Sequence, residues 1–293
     1  MPKVVLAGSG GLPYPTLKSI LSDTADIALF GDSVMERVSR HDRDRRTLGQ
    51  MVADIASPRS VVILSRSAHN PDIYLPLLQA MAKARRKPRT IVIPINLRCF
   101  SPQWEMSPDW TFDQEKRIIS RYLRWRWSAI KPVDDVYFDA EKHANFAQEP
   151  VEYQLSPLST IGEFKRVIAS EPSRERSAAI FTYHYTHRLS QSNLRLKSLR
   201  DCVKIAHSIA REVIVYITPI NMEALQRFVG PKAADIVFNN IRTIEMALGD
   251  EHLSNWIQAL PETSFFSEDL ATEHLNEVGR QALASLISET LSA

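Results

Sequence analysis

Short apolar runs recur along the chain at intervals wide enough to hold a helix between neighbours. They are Val4 to Ala7, Asp26 to Phe30, Ser60 to Leu64, Thr90 to Ile95, Ala178 to Thr182 and Val213 to Thr218. Most are rich in Val and Ile and none alternates with polar residues, as in strands buried on both faces of a parallel sheet. Helical periodicity between and after them covers Leu75 to Arg85, Leu194 to Glu212 and Glu273 to Leu291. Strand and helix in alternation predict a three-layer α/β/α, flavodoxin-like domain of about five parallel strands.

Residues 100–190 break this rhythm and read as an aromatic-rich helical cap inserted into a single domain spanning 1–293. Trp104, Trp110, Trp125 and Trp127 fall there, four of the five tryptophans. Arg121-Tyr122-Leu123-Arg124-Trp125-Arg126-Trp127 interleaves cations with aromatics. Such a segment suits stacking on sugar rings or bases. An amphipathic helix with its aromatics packed on the sheet fits the same residues.

The chain has 293 residues, 44% hydrophobic and 24% charged, which excludes a disordered tail, a collagen-like fibre and a coiled coil. Its 36 basic and 34 acidic residues leave a formal charge of +2. That balance gives no ground for a nucleic-acid partner. Cys99 and Cys202 are too few for a disulfide framework and too far apart for a metal pair, so a reducing compartment is expected. No run approaches the ~18 apolar residues of a membrane span, and the N-terminal run is shorter than a signal h-region. The expectation is a cytoplasmic, soluble protein without membrane partner, its oligomeric state undetermined.

Gly8-Ser9-Gly10-Gly11 follows an apolar run, but Pro13 stands at the third glycine position of a dinucleotide fingerprint. A tight turn explains those glycines as well. His184 and His187 have a two-ligand spacing with no third ligand near, so no metal and no cofactor are expected; pocket-rim contacts or surface histidines suit them better. The sharpest signal is Ile27-Ala28-Leu29-Phe30-Gly31-Asp32-Ser33, a strand running into Gly-Asp-Ser and a helix-compatible stretch. Ligands in open α/β sheets bind beyond the strand carboxyl ends, which is where the Ser33 hydroxyl would stand. The helix start behind it would offer N–H groups and a positive dipole end to an oxyanion. His274, at the entrance of the C-terminal helix, is the candidate base for such a nucleophile.

These blocks together resemble the SGNH/GDSL hydrolase family. Phe30-Gly31-Asp32-Ser33 is similar to its first block, Ser60 to Ala68 to its second, Ile91 to Asn96 to its third, and His274-Leu275-Asn276 with Gly279 to its last. The resemblance covers roughly 26–98 and 194–292 and leaves the cap outside. It implies a serine esterase in which Ser33 is the nucleophile and His274 the base. The oxyanion would be held by the Ser33 N–H, an N–H of Ser67 or Ala68, and the Asn96 amide.

Three positions depart from the family pattern. Ser67-Ala68 stands where a glycine is usual, and Leu97 follows Asn96 where an aspartate is usual. Ala271 occupies the position of the acid, three residues before His274. Asp269 is the first candidate to replace it and Glu223 the second; orientation of His274 by backbone alone is a third arrangement. The implied substrate is a small acyl ester, with O-acetyl groups on a carbohydrate as one case. The alternatives are acyl transfer to a saccharide, a catalytically silent SGNH-like protein that binds a saccharide or partner, and a nucleotide binder using the early glycine loop.

Overall fold

The computed structural model describes residues 4–7, 25–107, 111–125, 140–151, 153, 155–266 and 272–291. Among them six parallel strands form one sheet: β1 (Val4–Ala7), β2 (Ile27–Gly31), β3 (Val61–Ser65), β4 (Thr90–Ile95), β5 (Glu212–Ile217) and β6 (Leu253–Asn255). Their order is β1-β3-β2-β4-β5-β6. With β1 set aside at its edge, this is the 2-1-3-4-5 order of flavodoxin-like folds. Register is fixed at the centre, where Ile27 lies beside both Val61 and Thr90.

The central strands lack polar alternation because both faces are covered. Ala28, Phe30, Val62, Leu64, Ile91 and Ile93 point to one core. There they meet α3 (Pro71–Ala82), α9 (Leu194–Ile209) and α11 (Pro231–Leu248). Ile27, Leu29, Val61, Ile63 and Val92 point to the other, against α2 (Leu48–Ile55) and α12 (Glu277–Thr290).

Two strand assignments need correction. Ala178 to Thr182 lies within α8 (Arg174–Tyr185), a helix. Its residues from Ala179 to Tyr185 are buried without a break. A helix enclosed on all sides shows no polar stripe, so over a short window it reads like a buried strand. β6, only three residues long, carried too little pattern to be seen.

Among the described residues between β4 and α9 run a 3₁₀ turn (Leu97–Phe100) and five helices: α4 (Pro102–Met106), α5 (Asp113–Trp125), α6 (Ala140–Gln148), α7 (Ile161–Ile168) and α8. This region has a small core of its own, made of Phe146, Val151, Tyr153, Ile161, Phe164, Ala179 and Tyr183. Within the described residues no helix is long and apolar enough to cross a membrane.

Candidate active site

The sheet's order reverses between β2 and β4: the chain leaves β2 towards β3 on one side and leaves β4 towards β5 on the other. In open α/β sheets the strand ends splay apart at such a point and a crevice opens beyond them. Ser33 follows β2 and Asn96 follows β4, so both stand at this crevice.

The turn into Ser33 depends on Gly31, where a Cβ would meet the Met35 Cβ at 2.6 Å. Asp32 caps the next helix, α1 (Ser33–Glu36), its Oδ1 accepting the Val34 N–H at 2.8 Å. That helix is a single turn, so the dipole the sequence suggested is small. What remains is the N–H of Ser33, which as a first helical residue has no acceptor inside its helix.

The Ser33 hydroxyl lies 3.0 Å from His274 Nε2 across 241 positions of sequence. This geometry lets Oγ donate to the ring nitrogen when that nitrogen is unprotonated. Ser33 is buried, with 8% of its surface exposed, and His274 is partly buried. His274 is held by its backbone: its carbonyl accepts the Phe266 N–H at 3.0 Å, Leu275 bridges to Phe265, and Thr272 O accepts the Asn221 N–H at 2.8 Å. The Phe266 ring lies 5.7 Å from the imidazole.

Asn96 has a fixed amide. Its Oδ1 accepts the Arg98 N–H at 3.1 Å and its Nδ2 donates to Asp32 Oδ2 at 2.7 Å, which leaves one amide hydrogen without a partner among the described residues. Burial lifts the Asp32 carboxyl to about 6, against the pull of the Val34 N–H and the Asn96 amide.

In the second loop Ala68 adopts φ +69°, the left-handed region that favours glycine. The Ser67 N–H faces the Glu36 carboxylate, whose carboxyl is raised by burial and drawn back by hydrogen bonds from Ser65 and Ser67. That leaves Ala68 the better placed of the two N–H donors.

Asp269 lies outside the described residues, as do Trp110, Trp127 and Gly8 to Gly11. Glu223 is exposed in the first turn of α10 (Met222–Val229), where it accepts the Glu262 N–H at 3.2 Å beside the Arg227–Glu262 ion pair. The carboxylate that sequence reasoning missed is Glu273, next to His274 and 1% exposed. It accepts from Arg98 Nη1 at 2.6 Å, from the Tyr185 hydroxyl at 2.6 Å and from the Thr272 hydroxyl. Burial alone would raise it, but the Arg98 charge, with His274 and His184 nearby, holds it down at about 2. The Arg98 guanidinium in turn stacks 4.5 Å over the Trp104 ring.

His184 and His187 are buried rather than surface histidines. Neither His184 Nδ1 nor either His187 nitrogen has a hydrogen-bond partner among the described residues. Burial pulls His184 well below the usual range and His187 to about 4, so both are neutral at pH 7. No cluster of three or more His, Cys, Asp or Glu placed to hold a metal occurs among the described residues.

No protein-family model matches the chain, and no curated protein matches it. Solved structures do. A Streptococcus pneumonia protein whose description names a platelet activating factor is 13% identical over 94% of this chain and 88% of its own, with a TM-score of 0.45. A lipase/acylhydrolase from Enterococcus faecalis is 12% identical over 92% and 95%, with a TM-score of 0.40. Axe2, an acetylxylan esterase from Geobacillus stearothermophilus, is 10% identical over 92% and 94%, with a TM-score of 0.42.

Proposed function

We propose that this chain is a serine esterase of the SGNH type, hydrolysing a small acyl ester such as an O-acetyl group on a carbohydrate. The observation that carries this reading is the 3.0 Å contact between the Ser33 hydroxyl and His274 Nε2 at the crevice where the sheet's order reverses. Ser33 Oγ attacks the ester carbonyl carbon as its proton passes to Nε2. The tetrahedral intermediate collapses, the C–O bond to the alcohol breaks, and the alcohol leaves with the proton from His274. Water, deprotonated by His274, then attacks the acyl-serine and releases the acid. A saccharide hydroxyl in place of water would make the same intermediate a transfer reaction.

Oxyanion charge would fall to the Ser33 N–H, the Ala68 N–H and the free Asn96 amide hydrogen. Each donor contributes on the order of 3 kcal/mol to barrier lowering. The acid that orients His274 is assigned to Asp269 in this proposal, since Glu223 and Glu273 both have other hydrogen-bonding partners.

Fluorophosphonate labelling and release of p-nitrophenol from p-nitrophenyl acetate test the reading together. Wild type should be labelled and active. Ser33→Ala should stay folded, lose the label and lose turnover. A wild-type protein that neither labels nor hydrolyses would be a silent binder, and activity surviving in Ser33→Ala would place the nucleophile elsewhere.

A further inference from the structure

The groups around Ser33 form a closed circuit. Ser33 meets His274 at 3.0 Å; the chain steps back one residue to Glu273, which holds Arg98 Nη1 at 2.6 Å. The Arg98 N–H returns to Asn96 Oδ1 at 3.1 Å, Asn96 Nδ2 reaches Asp32 at 2.7 Å, and Asp32 precedes Ser33. Three separate pieces of chain, the turn after β2, the turn after β4 and the loop before α12, are thereby locked together. A fourth joins through the Tyr185 hydroxyl at the end of α8, and the Trp104 ring backs the guanidinium.

Glu273 cannot serve as the missing acid while its oxygens are engaged by Arg98, Tyr185 and Thr272. The geometry points to a different role: Glu273, Arg98 and Tyr185 are positioning residues that set His274 and Asn96 against Ser33. Arg98 suits this work because it binds Glu273 through its side chain and Asn96 through its backbone, so one residue sets the spacing between the base loop and the oxyanion loop. The inference rests on the esterase reading, and the acts of positioning and catalysis can be told apart by experiment.

The variants are Glu273→Gln, Arg98→Gln, Tyr185→Phe and the double variant Glu273→Gln/Arg98→Gln, with the exposed Glu223→Gln as control. Misplacing a reacting group by about 1 Å costs on the order of 100-fold. Glu273→Gln should therefore lower kcat on p-nitrophenyl acetate by about 10- to 100-fold with KM changed less than about twofold, and slow fluorophosphonate labelling in step. Tyr185→Phe, which removes one bond and no charge, should lose about three- to tenfold. The double variant should lose less than the product of its single losses, because both act on one bond. Glu223→Gln should match wild type.

The placement of His274 is also read without turnover, from its imidazole ¹⁵N resonances. The hydrogen-bonded Nε2 signature should weaken in Glu273→Gln and in Tyr185→Phe. Folded variants with wild-type kcat and wild-type imidazole signals would overturn the proposal; if Glu273→Gln fails to fold, Tyr185→Phe decides it alone. A wild-type protein with a hydrogen-bonded His274 but no labelling and no hydrolysis would defeat the esterase reading and leave the positioning role to the resonances.

Discussion

Glu273 carries its charge where water does not reach, and stability should reveal it. Its folded value of about 2 lies below the ordinary 4.5, so its contribution is complete above about 4.5 and is lost as pH falls towards 2. Denaturant titrations from pH 5 to 2.5 should show wild type losing stability more steeply than Glu273→Gln over that window. Parallel curves would mean the carboxylate gains nothing from Arg98. Asp32 runs the other way: raised from 3.8 to about 6, it favours the fold below 3.8 and withdraws that support as pH rises through 6. Ser33, Asn96 and His274 could be picked out as candidates in sequence because each stands in a local pattern, at the end of an apolar strand or before a helix. Glu273, Arg98 and Tyr185 could not, because their meaning lies in partners 175 and 88 positions away.

At the level of elements, the loop bearing His274 is set by how α12 sits on the turn at Ser264. Asn276 caps α12, donates its N–H to Ser264 O at 3.0 Å and accepts the Gly279 N–H at 3.1 Å. A Cβ at position 279 would come within 2.2 Å of Ser264 O, so only glycine allows this approach. The buried Arg280 ties the same end of α12 to Asp42, Asp44 O and Arg46 O, on the segment that follows Ser33. Gly279→Ala should push α12 from its seat, cost about 1–3 kcal/mol and lower turnover as His274 shifts. Thermal unfolding checks the first effect and p-nitrophenyl acetate the second. An unchanged melting temperature would show that the turn yields freely. The sequence located this helix and its glycine, since a period of 3.6 is a local signal. It misread α8 as a strand, since burial on every side erased the polar face that marks a helix.

Across the whole molecule, described residues of the segments between β4 and α9 meet the site at several points. Arg66 pairs with Glu115 at 2.9 Å, Phe112 packs edge-on to His69 at 5.2 Å, Trp104 lies under Arg98, and Tyr185 holds Glu273. The last of these depends on the small separate core, because α8 carries both Tyr185 and Tyr183. Tyr183 stacks on Phe164 at 4.6 Å, and its carbonyl accepts the Tyr153 hydroxyl at 2.8 Å. Phe164→Ala should remove about 3–5 kcal/mol from that core. Phe181 and Tyr185 of α8 belong to the core that covers the sheet, so the small separate cluster should loosen first, below the global unfolding free energy. Hydrogen exchange should quicken in α7 and α8 while β2 to β5 keep their protection. Turnover should fall with the loosening of Tyr185, by no more than Tyr185→Phe itself loses. Uniform loss of protection across sheet and insertion would instead make the two a single cooperative unit, and full activity despite an opened α8 would separate Tyr185 from the placement of His274.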